Sequence, residues 1–99
     1  MTIQQQEQRE QALYRSGSIC AHCGASIYQH GTPQYAHKLS NSKKNREKYG
    51  SFFIDHTLNG DYVCSLKCND ALLIDNRPRE ILLLLADIVI HEIKQFDNY

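Results

Sequence analysis

"SICAHCGASIYQH" (residues 18–30) and "VCSLKCN" (residues 63–69) contain all four cysteines of the 99-residue chain, Cys20, Cys23, Cys64 and Cys68. Their arrangement decides the fold. Cys20 and Cys23 flank two residues and are followed by Gly24, the shape of a zinc knuckle. Two thiolates can grip one ion from a tight turn, and the glycine permits a backbone that aims amides at sulfur. Cys64 and Cys68 fall at the start of a helical pattern, where the helix N-terminus favours thiolate. Tetrahedral Zn2+ takes four such ligands, and four are present. A thioredoxin-like pair would belong to a βαβ pattern, which the chain lacks. Disulfides would need an oxidising compartment. The spacing therefore predicts one structural zinc site with no open position, a staple rather than a catalyst. His22 and His30 are read as surface or outer neighbours of an already complete shell.

A staple suits a chain of this size, which can bury only a small core. Composition is 41% hydrophobic and 22% charged, with a formal net charge of zero. The opening "MTIQQQEQRE" has no apolar h-region. The longest apolar run, Ile81 to Ala86, stops at Asp87 and is too short to cross a bilayer. The expectation is a soluble, cytoplasmic protein with no membrane partner.

Around the cysteines the pattern predicts a small α+β domain. Residues 2–15 read as a polar helix whose late apolar anchors are Leu13 and Tyr14, broken at "RSGS". Ser26–Tyr28 and Gln34–His37 are short β-favouring pieces divided by the turn "HGTP". "SFFID" (residues 51–55) is a second strand candidate, and "TLNGD" (residues 57–61) a turn. A helix starts near Ser65, its N-cap, and ends at "NRP". Pro78 suits the first turn of a last helix running from Arg79 to about Phe96. The domain scheme is an N-terminal extension (1–17), a zinc-stapled unit (18–76) and a C-terminal helix (77–99). On that helix Ile81, Leu82, Leu85, Ile88, Val89 and Ile93 form one stripe, with Leu83 and Ile90 toward the opposite flank. So much apolar surface makes a second copy of the chain a candidate to cover it.

The cysteine pairs enclose "YAHKLS" and "IDHTLN". The order CxxCG, a strand histidine in "AHK", "LN" before a cysteine pair, and "CN" at a helix start resembles the HNH endonucleases. That resemblance covers roughly residues 19–75. It implies a ββα-metal core of the treble-clef zinc group, with both terminal helices added. By the same resemblance His37 is the general base that takes a proton from the attacking water, a task suited to its ordinary pKa. Asn59 is the middle position, whose side chain holds the histidine or the strand ends in place. Asn69 is the last position and supplies an oxygen to a catalytic Mg2+ or Mn2+. Three departures stand out. Ala36 occupies the place of a usual acidic metal ligand, the interval from His37 to Asn59 is long, and no lysine follows Asn69 closely. Asp55, His56 and Asp70 are candidates to complete the ion site, with His56 an active-site candidate.

Residues 38–50, "KLSNSKKNREKYG", hold five of the eleven basic residues, Lys38, Lys43, Lys44, Arg46 and Lys48, against Glu47 alone. With Ser40, Asn41, Ser42 and Asn45 as hydrogen-bond donors, this segment is the candidate DNA-backbone contact. Tyr49, Phe52 and Phe53 are assigned to the core. Three functions follow as expectations: a metal-dependent HNH-type DNA endonuclease, a non-catalytic zinc module binding nucleic acid or protein, or an assembly protein working through its last helix.

Overall fold

The computed structural model describes residues 1–97; residues 98 and 99 of the expected 77–99 segment lie outside the described residues. Helix α1 (Ile3–Ser16) begins in a capping box between Thr2 and Gln5 and ends at Gly17, whose left-handed φ of 58° closes the last turn. Its anchors differ from expectation. Leu13 and Tyr14 are exposed, and Gln8 and Ala12 are the buried residues. A helix this polar docks through hydrogen bonds. Gln8 Nε2 donates to the carbonyls of Ile54 and His56, and Arg15 donates to Thr57, Gly60 and Asp61.

Strand β1 (Gln34–His37) lies where the sequence placed it, but its partner is not "SFFID". That segment is a short helix, α3 (Ser51–Ile54), directly after α2 (Lys43–Tyr49). Gly50, at φ 88°, redirects the chain between them, and the turn aims Phe53 and Ile54 at the core, overriding their β propensity. A 310 turn (Thr57–Asn59) leads into β2 (Gly60–Val63). The antiparallel register pairs Gln34 with Val63, Tyr35 with Tyr62, Ala36 with Asp61 and His37 with Gly60. The Tyr35 ring lies over Gly60, and a Cβ there would collide with its hydroxyl. Any larger residue at position 60 would have to push the Tyr35 ring aside.

Helix α4 (Leu66–Leu72) follows β2, capped by the Ser65 side chain on the Cys68 amide. It stops three residues short of the expected end, because the Ile74 amide turns away to bond the Lys38 carbonyl beyond β1. Helix α5 (Pro78–Asp97) closes the chain. Among the described residues no helix is long and apolar enough to cross a membrane.

The result is a small α+β fold with a two-stranded sheet and two cores. The first gathers Cys20, Ile27, Ala36, Val63, Cys64 and Cys68, with Leu72 of α4 against it. The second joins Leu39 and Ile54 to Ile74, Ile81, Leu84 and Ile88, with Tyr49 and Phe53 at its edge. Phe52 is left half exposed. On α5 the buried stripe is Ile81, Leu84 and Ile88, so Leu82, Val89 and Ile93 face outward with Leu83 and Ile90.

Candidate metal centre and active site

The first core is built round sulfur. An isolated bridge between Ile19 and Ser26 closes the knuckle, the Cys20 amide bonds the Ala25 carbonyl at 2.7 Å, and Gly24 adopts φ 79°. The four cysteines are free of disulfides, and their sulfurs all lie within 4.8 Å of one another. Cys23 and Cys64 sulfurs are 3.5 Å apart, and those of Cys64 and Cys68 are 3.8 Å apart. Four sulfurs at tetrahedral Zn–S distance would stand roughly 3.8 Å from each other, so the geometry fits a single ion. Electrostatics agrees. Burial pushes the Cys20 thiol up, but backbone amides of Cys23, His22 and Cys64 outweigh it and bring it down to about 6. Burial and the neighbouring sulfurs drive Cys64 up to about 12. Four sulfurs packed this closely cannot all ionise unless a cation offsets their charge. His22 and His30 line the rim of the depression over this cluster.

β1 passes from the sulfur core to the other expected residues. Ala36 points into the core and is fully buried, so the position of the usual acid is a packing position here. Successive strand residues face opposite sides, which puts Tyr35 and His37 together on the other face, their rings 5.1 Å apart. Helix α1 covers that face and brings the Arg9 guanidinium 4.8 Å from the Tyr35 ring centroid. The His37 pKa is lowered, first by burial and then by Arg9 and Arg46, with Asp55 opposing. His37 is therefore neutral near pH 7. Neither of its ring nitrogens has a hydrogen-bond partner among the described residues.

Asn59 is fully buried. Its Oδ1 accepts from the Leu39 amide at 2.8 Å, and its Nδ2 donates to the carbonyls of Leu39 and Ile54 at 3.1 and 2.9 Å. One side chain thus ties the exit of β1 to the end of α3 at the edge of the second core. Asn69, on α4, directs Nδ2 toward the Tyr35 carbonyl at 3.5 Å. Its Oδ1 makes no bond among the described residues.

The candidates for completing an ion site are engaged elsewhere. Asp55 receives Arg46 on both oxygens, at 2.6 and 3.1 Å, and Gln5 as well. His56 Nε2 meets Glu92 Oε1 of α5 at 2.7 Å, while its Nδ1 accepts from the Leu58 amide at 3.1 Å. Asp70 is exposed on α4. Sequence reasoning missed Glu92, His91 and Arg9. Glu92 carried a signal, since it continues the buried stripe of Ile81, Leu84 and Ile88 by one further turn. Arg9 lay in a uniformly polar helix and carried none.

His56, His91 and Glu92 form the second group whose donor atoms lie within 4.8 Å of one another. They sit in a cleft of about 460 Å³ between α1 and α5. The bond from Leu58 decides its chemistry. With Nδ1 accepting, the imidazole proton is on Nε2 and is donated to Glu92. A metal at Nε2 would force a proton onto Nδ1, against the Leu58 N–H. This cluster is a histidine–carboxylate pair fastening α5 to the 310 turn.

The basic segment divides. Arg46 is committed to Asp55, Asn41 and Ser51. Lys38 pairs with Asp61 at 3.4 Å. Lys43, Lys44 and Lys48 are exposed along α2. Of the expected donors, Ser40 and Asn45 bond Asp75 and each other, and Ser42 caps α2.

Comparison of the chain with protein-family models, curated proteins and solved structures found no match.

Proposed function

We propose that the chain is an HNH-type, metal-dependent endonuclease with a treble-clef, ββα-metal core: the knuckle, the β1–β2 hairpin and α4. Zinc on Cys20, Cys23, Cys64 and Cys68 holds the scaffold, and His37 is the base. The observation that carries the reading is the contrast between two histidines. His56 has both ring nitrogens occupied by Leu58 and Glu92, whereas His37 is neutral, half-buried and without a hydrogen-bond partner among the described residues. A general base needs a free lone pair at working pH. Asn59 supports it by fixing the chain just beyond His37. Arg9 lies close enough to lower its pKa and offers positive charge for a phosphodiester.

A hard divalent ion would take its protein ligand from Asn69 Oδ1 and the rest from water and phosphate oxygens. Bound there, Mg2+ or Mn2+ would polarise the phosphate and stabilise the leaving oxygen. The chain's own share is to orient His37, to accept the water proton on it, and to hold the strand rigid. Lys43, Lys44 and Lys48 give the DNA backbone a positive face.

Ala36 favours a second reading. Its burial leaves no carboxylate at that strand position, as in a relic that binds nucleic acid without cutting it. A plasmid-nicking assay with Mg2+ or Mn2+ separates the two. Metal-dependent nicking abolished by His37→Ala supports the nuclease, and DNA binding without nicking supports the relic.

A further inference from the structure

Helix α5 turns one side to the second core and leaves the other bare. Leu82 is 68% exposed and Phe96 73%, with Leu83, Val89, Ile90 and Ile93 also exposed. These residues are not scattered. Arg79, Leu83, Ala86, Ile90, Ile93 and Asp97 recur at alternating intervals of four and three, the period of a coiled-coil seam. Leu83, Ile90 and Asp97 take the a positions, and Arg79, Ala86 and Ile93 the d positions. Leu82, Val89 and Phe96 flank the seam on one side. Glu80, Asp87 and Lys94 flank it on the other.

We propose that this face pairs with the same face of a second copy, the two α5 helices running antiparallel about a two-fold axis near Ile88. Charge selects the occupant and its direction. A parallel pair layers a on a and d on d, setting Arg79 against the partner's Arg79 and Asp97 against the partner's Asp97. An antiparallel pair layers a on d. Leu83 then meets the partner's Ile93, and Ala86 meets the partner's Ile90, small against large, as close packing requires. Arg79 meets the partner's Asp97 at each end. On the charged flank Glu80 meets the partner's Lys94, and on the apolar flank Leu82 meets the partner's Phe96. Asp87 faces its own copy at the axis, within a turn of both Lys94 side chains. The end pairs add little affinity but fix orientation, and the two-fold axis makes each pairing occur twice. This surface is independent of the chemistry at His37.

Sedimentation across micromolar to submillimolar concentration tests the pairing. The wild type should be a dimer, and Ile90→Glu should weaken it about 100-fold or more. Because Ile90 lies outside both cores, the variant should keep the wild-type circular dichroism and zinc content. Carbodiimide cross-linking tests the direction. Glu80 and Lys94 of one helix lie fourteen residues apart, about 21 Å along the axis, so a zero-length Glu80–Lys94 link can form only between antiparallel copies. That link in the wild type, and its disappearance in Ile90→Glu, is the expected result. A wild-type monomer at every concentration, or a dimer that survives Ile90→Glu, overturns the proposal. A dimer lacking the link overturns its orientation.

Discussion

Asp55 and Arg46 form an ion pair of 2.6 Å that joins the two short helices α2 and α3. The aspartate is nearly buried, and a second nitrogen of the same guanidinium reaches its other oxygen. With the Lys38–Asp61 pair, it divides the basic segment into two paired cations, Arg46 and Lys38, and the exposed Lys43, Lys44 and Lys48. Arg46→Ala should cost about 2 kcal/mol of stability by stranding Asp55, read as a lowered midpoint in urea. Replacing Lys43, Lys44 and Lys48 together by alanine should leave that midpoint nearly unchanged. The triple variant should instead weaken DNA binding and flatten its dependence on salt, by roughly one unit of log–log slope for each phosphate no longer neutralised.

The same pair gives stability a pH dependence. Burial alone would raise the Asp55 pKa, but the Arg46 hydrogen bonds and charge outweigh it and hold the carboxyl below its usual range. Glu92 is held low by the hydrogen bond from His56. A carboxyl whose folded pKa is depressed contributes stability above its unfolded value, near 4, and loses it as pH falls through the folded value. His37 acts in the same direction, because its lowered pKa makes the folded state resist protonation below about 6.5. Stability should therefore fall on acidification, first below about 6.5 and again below about 4. In urea titrations at stepped pH, Asp55→Asn should lose most of the lower-pH component.

Gly60 sits under the Tyr35 ring, opposite His37 in the register. Gly60→Ala should cost about 1–3 kcal/mol, because the tyrosine must leave its place between Arg9 and Tyr62. The double variant Gly60→Ala, Tyr35→Leu should recover part of that loss. Thermal melts of the two variants compare the effects directly.

Removing the ion should unfold the first core. Its buried residues include three of the four proposed ligands, Cys20, Cys64 and Cys68, so little apolar surface remains to hold knuckle and hairpin together. Metal analysis should find about one zinc per chain, and a strong chelator should abolish the cooperative melt. Cys64→Ser should act as the chelator does.

What the sequence made legible follows from how local each signal is. The knuckle, β1 and the N-cap at Ser65 depend on adjacent residues, and they lie where composition and spacing put them. The strand assigned to "SFFID" failed because three apolar residues in a row fit either period. Gly50 and the second core, distant in sequence, chose the helix. The exit of α4 was likewise set at long range, by the bond from Ile74 to Lys38. At the candidate site, His37 and Asn59 were named from motif order alone. That Asp55 and His56 are engaged elsewhere depends on Arg46 and on Glu92, thirty-six residues from His56. No motif carries such pairings.

The most direct test of His37 as the base is metal-dependent plasmid nicking by wild type, His37→Ala and His56→Ala at matched zinc content. The account predicts Mg2+- or Mn2+-dependent nicking by the wild type. It predicts a loss of about 100-fold or more in His37→Ala and retained nicking in His56→Ala. Nicking that persists in His37→Ala, or vanishes only in His56→Ala, would contradict it.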